Sequence, residues 1–273
     1  MYETKNKTVH DMLVVADGQG CTKAQMKPIV VEGNIFDVDQ DTPIFRIVET
    51  HLLLDDIAKC RLSHSAIGED SWGDPAENPL KTQQFVDRVT GAPLSLDSLA
   101  NDLYASCWSL QPTATKEMWA YFSYGNPSVR IETTPRKLLD AVMDVDNNFI
   151  SLQHFIGKIT YVDSGEFDRF FSDPDYQKYL DPNGQRMALS VMRLPDGPQA
   201  EQEVRLVFMA DRNQPWTKKV HFSNGFAHVP CQWTGLIQGV VVGSHVNPAN
   251  VSALVAKLQS LGITCPITRS TSP

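Results

Sequence analysis

The stretch Val220-His221-Phe222-Ser223-Asn224-Gly225-Phe226-Ala227-His228-Val229 decides the fold class. Two short β-like runs flank Asn-Gly, the dipeptide that tolerates positive φ at both centre positions of a type I′ turn. It predicts an antiparallel hairpin. The pattern stays β on both sides: Glu203 to Met209 precedes the hairpin, and Leu236 to Val242, rich in Ile and Val, follows it. Asn247-Pro248 opens a helix that runs through Leu261 and stops at Gly262. Ile263 to Thr268 reads as a closing strand.

Toward the N-terminus, Ile44-Phe45-Arg46-Ile47-Val48 reads as a strand. A short helix over Leu52 to Cys60 follows, with Thr50 as its cap, and then a second strand from Arg61 to Ala66. Glu69 to Pro79 is a polar loop broken by Gly and Pro. Leu103 to Ser109 is β-like, Lys116 to Phe122 helical, and Ser128 to Glu132 alternates as a half-buried strand does. Thr134 caps a helix that begins at Pro135. Residues 1–42 are expected to form an irregular extension with a short strand at Pro28-Ile29-Val30-Val31-Glu32. Residues 43–273 are expected to form one α+β catalytic-type domain of mixed, mostly antiparallel β-sheets with flanking helices. Strands without regular βαβ alternation exclude a Rossmann reading.

Composition narrows the class further. The chain has 273 residues, 42% of them apolar, enough for one large core or two small ones. It contains no apolar run of about 18 residues, so no membrane helix is expected. The N-terminal residues lack an apolar signal segment. The five cysteines are scattered without a Cys-x-x-Cys pair, which suits free thiols in a reducing cytosol, so a cytoplasmic location is expected. A net charge of −8 argues against a constitutive, sequence-independent nucleic-acid binder. It leaves room for brief contact through a local patch, for which Arg130, Arg136 and Lys137 are candidates, although the plainer reading, ordinary solvated charges, is favoured. The histidines show no His-x-x-x-His or His-Glu-x-x-His spacing, so no metal site is expected. Asp37 to Asp41 lacks the Gly and Glu of a calcium loop. Asp17-Gly18-Gln19-Gly20 lacks the end of a phosphate loop, and no Gly-x-Ser-x-Gly elbow occurs.

Three segments in order resemble a family. They are Phe45-Arg46-Ile47-Val48 leading to Trp72-Gly73-Asp74-Pro75-Ala76-Glu77; Ser106-Cys107-Trp108-Ser109 with Met118-Trp119-Ala120-Tyr121 and Val129-Arg130-Ile131; and Glu201-Gln202-Glu203-Val204-Arg205-Leu206-Val207. Together they resemble the bacterial domain-of-unknown-function family 2971 over roughly residues 43–270. Gly73 stands where that family usually has Asn, and Met192-Arg193 and Pro198 to Ala200 depart from its pattern. The order of Arg46, then Ser106 and Ser109, then Glu201-x-Glu203 also resembles the ADP-ribosyltransferase superfamily.

The second resemblance implies an ADP-ribosyltransferase-like fold and NAD as co-substrate. The acceptor would be a macromolecule, nucleic acid or protein, and the setting a toxin or phage-defence effector. Cleaving the nicotinamide–ribose bond passes through an oxocarbenium-like state, which negative charge stabilises. Glu203 would hold that charge. Glu201, two residues away on the same strand face, would orient or activate the acceptor. Arg46 would clamp the pyrophosphate in bidentate fashion. Ser106 or Ser109, three apart and so on opposite faces of an ideal strand, would bond ribose or the nicotinamide amide. Trp108, Trp119 and Tyr121 would stack on the cationic ring. Each has a plainer reading: the carboxylates as a solvated strand face, Arg46 as a surface ion pair, the aromatics as core. Two rival functions stay open. One is a non-enzymatic module that binds an antitoxin or chaperone through the Trp72 to Pro79 loop and the aromatic block. The other is a metal-dependent nuclease with dispersed carboxylates.

Overall fold

The computed structural model describes residues 2–68, 72–87, 89–147, 150–172, 185–195 and 202–270. The Asn224-Gly225 turn holds positive φ at both residues (49° and 77°), as type I′ geometry requires. It joins two antiparallel strands, His221–Ser223 and Phe226–Pro230.

In chain order the strands are β1 Ile35–Phe36, β2 Ile44–Glu49, β3 Arg61–Ala66, β4 Phe85–Val86, β5 Pro93–Leu94, β6 Leu103–Ser109, β7 Ser128–Thr133, β8 His154–Lys158, β9 Thr160–Val162, β10 Arg193–Pro195, β11 Glu203–Met209, β12 His221–Ser223, β13 Phe226–Pro230, β14 Gly239–Val242 and β15 Ile267–Arg269. Among the described residues, 11 of them form one sheet, ordered β1-β8-β11-β6-β2-β7-β14-β15. A second arm, β3-β13-β12, leaves β6 on the edge that also carries β2. Within this sheet only β1–β8 and β14–β15 pair in parallel. The chain is thus an α+β protein with a mostly antiparallel sheet.

The fork at β6 positions the site. β3 pairs with Tyr104 and Ala105, and β2 reaches β6 only at Ser109. Between them, Ser106, Cys107 and Trp108 have no strand partner on that edge among the described residues, so the two arms part over the middle of β6.

Register sorts the side chains. Glu203 opposes Ser109, Arg205 opposes Cys107, and Val207 opposes Ala105. These residues therefore share one face. Toward Val207 a second apolar core covers that face, with Phe155, Leu80 and Leu189. The opposite face, carrying Trp108, Val204, Leu206 and Phe208, packs into the main core.

The N-terminal residues depart from expectation. α1 spans Tyr2–Gly18 and α2 spans Lys23–Gly33, so Pro28 to Glu32 is helical, not a strand. The cause is a capping box: Thr22 Oγ1 accepts from Gln25 N–H, and Gln25 Oε1 accepts from Thr22 N–H at 2.8 Å. Val30 and Val31, read as strand residues, are instead buried in the main core from the helix. The helix tolerates Pro28 although its ring nitrogen has no proton to donate. Ile35 and Phe36 then enter the main sheet beside Ile156 and Gly157. α3 covers Thr50–Ala58 and is capped from Glu49 without a side-chain bond, so Thr50 is its first residue and not its cap. The closing strand is shorter than read, Ile267–Arg269. No described helix is long and apolar enough to cross a membrane.

Candidate active site

Where the arms part, a cleft of about 440 Å³ opens over β6. That lies within the roughly 300–1,000 Å³ typical of small-molecule and cofactor sites. Its polar floor holds Cys107, Ser109, Glu203, Arg205 and Glu77. Phe45, Ile47, Leu52, Met118, Phe122 and Phe226 supply apolar walls, and Tyr121 and Tyr124, both strongly exposed, stand at the rim.

Glu203 begins β11 and is 8% exposed. Arg205, two residues on and fully buried, donates to it twice, Nε to Oε1 at 3.0 Å and Nη2 to Oε2 at 3.2 Å. The same guanidinium donates to the Val191 carbonyl at 2.9 Å and to Glu77 Oε2 at 2.8 Å. Trp72 lies across it, ring centroid 4.5 Å from Cζ. Burial alone would lower the Arg205 pKa; the carboxylates of Glu203 and Glu77 overcome that and hold it raised. Burial raises the Glu77 carboxyl, against the pull of Arg205. The cluster sets two carboxyls against one guanidinium, so the floor favours a cationic ligand. Burial first, then Glu203, pushes the Cys107 thiol well above its ordinary value, which removes it as a thiolate nucleophile.

Arg46 lines the same cleft from the other face of the sheet. Its guanidinium lies 6.0 Å from the Trp108 ring and is half-buried. Among the described residues no hydrogen bond or ion pair reaches it. Burial lowers its pKa, with Cys107 and Asp56 opposing. A cation in this state is short of an anionic partner.

Of the residues singled out in the sequence, Arg46, Ser106, Ser109, Trp108, Tyr121 and Glu203 border the cleft, and Trp119 does not. Trp119 is buried, its ring edge on His245 at 5.7 Å, because it occupies the packed side of the helix Lys116–Ser123. Trp108 too is buried and donates its indole N–H to Ser106 Oγ at 3.2 Å. Ser109 Oγ accepts the Gln111 N–H at 3.0 Å. Glu201 lies outside the described residues. Arg130 reaches the cleft over Phe45, whereas Arg136 pairs with Asp41 at 2.9 Å and Lys137 lies near the Gly235 carbonyl, so the three do not form one basic patch. No cluster of metal-ligating side chains is found among the described residues. Arg205 and Glu77 were not singled out as site residues. The alternation of β11 could have shown Arg205 on the Glu203 face; nothing in the sequence brings Glu77 to it.

Neither a family model nor a curated protein matches the chain, so membership of the domain-of-unknown-function family 2971 is not shown. Solved structures of DarT from Thermus sp. 2.9 are similar. The complex with carba-NAD+ has 11% identity, covering 85% of this chain and 97% of that one, at a TM-score of 0.36. The NAD+ complex has 12% identity, coverage of 85% and 96%, and a TM-score of 0.35. The complex with ADP-ribosylated ssDNA has 11% identity, coverage of 86% and 96%, and a TM-score of 0.38. Likeness this loose assigns no chemistry to this chain.

Proposed function

We propose that the cleft binds NAD as co-substrate and that the chain transfers ADP-ribose from it to a macromolecular acceptor, nucleic acid or protein. One observation carries the reading: Arg46, a half-buried guanidinium with no hydrogen bond or ion pair among the described residues, and a buried carboxylate, Glu203, border the same cleft. Arg46 takes the pyrophosphate, which its planar fork matches. Ser109, directly opposite Glu203 on β6, bonds the ribose beside the scissile bond. Glu203 faces the ribosyl carbon as its positive charge develops, with Arg205 fixing its rotamer so that little reorganisation is needed. Tyr121 at the rim offers its ring to the nicotinamide or to the incoming acceptor.

The test is nicotinamide release from NAD in the presence of cell extract, together with transfer of labelled ADP-ribose to macromolecules. Wild type is expected to release and transfer. Glu203→Gln, which keeps the shape and can still accept from Arg205, should fall by roughly 10²–10³-fold. Equal rates in both proteins would remove Glu203 from the chemistry. Activity that needs a divalent metal and no NAD would select a hydrolase instead.

A further inference from the structure

The cleft-side face of the sheet continues outward along the second arm. Ala105 pairs with Ser65, Ser65 with Phe226, and Phe226 with Ser223. Ser63, His228 and His221 form the next row on that face. A chain of side-chain hydrogen bonds runs across these rows. Ser223 Oγ is 3.1 Å from His228 Nε2, and His228 Nδ1 is 2.7 Å from Ser63 Oγ. Ser63 Oγ is in turn 2.7 Å from Asp56 Oδ1. Asp56 projects from α3 and also accepts the Ser63 N–H and Arg61 Nε, each at 3.0 Å.

The order of protons along this chain follows from what each group can donate. A carboxylate has no proton to give, so Ser63 must donate to Asp56. With its one proton committed, Ser63 can only accept from His228, so Nδ1 carries the ring proton. Nε2 is then left with a lone pair, and Ser223 donates to it. A hydroxyl, a base within reach of it, and a third group orienting the base make the signature of an activated nucleophile. Phe226 lies parallel to the His228 ring at 6.2 Å and also lines the cleft, so an apolar surface leads to the hydroxyl.

We propose that Ser223 is a base-activated nucleophile, a second reactive centre of the acyl-transfer class that accepts carboxylic esters, independent of the NAD reading. Ser223 Oγ bonds to the ester carbon while its proton passes to His228 Nε2. The bond from that carbon to the leaving oxygen breaks, and Nε2 returns the proton to the departing alcohol. Water then attacks the acyl-serine, giving one proton to Nε2. The acid leaves, and Nε2 reprotonates Ser223. Ser63 and Asp56 are positioning residues that hold the imidazole in the required tautomer.

The groups facing His228 are Arg61 from β3, Asp56 and Asp55 from α3, and His221 from β12. Burial first, then Arg61, lowers the His228 pKa, so the neutral base persists somewhat below the ordinary histidine range. The probe is p-nitrophenyl acetate, read by the burst of nitrophenolate and by mapping the acetyl group on peptides. Acetyl on Ser223 is expected. Ser223→Ala, on a partly exposed hairpin, should melt like wild type and lose both burst and adduct. His228→Gln should slow acetylation about a hundredfold. Ser63→Ala should slow it less and move the onset of activity to lower pH than in wild type, because the imidazolium Nδ1–H loses its acceptor. No burst, acetyl on another residue alone, or acetylation of Ser223 at the wild-type rate in His228→Gln would overturn the proposal.

Discussion

Two buried polar clusters lie on opposite faces of the same sheet and are handled in opposite ways. On the cleft face, Arg205 is fully buried and four hydrogen bonds surround its guanidinium. On the core face, His64 and His154 are also fully buried, their rings 5.7 Å apart. None of their four ring nitrogens has a hydrogen-bond partner among the described residues. Phe208 packs against both, with ring centroids at 6.0 and 4.9 Å. A fully buried arginine cannot shed its charge, so Arg205 must be surrounded. A histidine can, and burial drives it to: His154 falls to about 3, and His64 well below its ordinary value, with His154 and Arg46 adding to the effect of burial. Polarity on the cleft face is organised around charge; on the core face it is suppressed.

Breaking the first cluster should have the largest effect. Arg205→Leu leaves Glu203 and Glu77 buried without their cation, and a loss of about 3–5 kcal/mol in urea denaturation is expected. A change under about 1 kcal/mol would mean that the cluster contributes little.

The second cluster is tested by acid. The folded His154 pKa lies near 3, below the unfolded value near 6.5. The unfolded chain therefore takes the proton first. The stability that neutral His154 contributes is present above about 6.5 and is lost as pH falls toward 3. Between pH 7 and 5 wild type should lose about 2 kcal/mol more than His154→Phe, from linkage at one site. Equal losses in the two proteins would mean that His154 is not held neutral. The smallest effect is expected for Glu77→Gln, whose amide oxygen still accepts from Arg205: about 1 kcal/mol. A larger loss would show that the Glu77 charge is needed to hold Arg205.

The parts of this arrangement that local sequence encodes were legible. Asn224-Gly225 announced its hairpin, Thr134-Pro135 its helix start, and the alternation in Ser128 to Glu132 its strand. The capping box at Thr22 and Gln25 was equally local, but a run of Ile and Val reads as strand unless the cap is given priority. The site was legible only in pieces. Glu203 and Arg46 could be chosen by residue type and order. That Arg46 approaches from the other face depends on the β2–β6 register, which no local pattern fixes. Glu77 meets Arg205 across 128 positions of sequence. Trp119 was misplaced because the amphipathic pattern of its helix does not say which side meets the cleft.

NAD is proposed to occupy the cleft where β2 and β3 part over β6. Titration calorimetry with NAD on wild type and Ser109→Trp tests this directly, because an indole at position 109 fills the floor opposite Glu203. Saturable binding to wild type that is lost in Ser109→Trp, with the variant still folded by circular dichroism, is the predicted result. No binding to wild type, or equal binding to both, would contradict it.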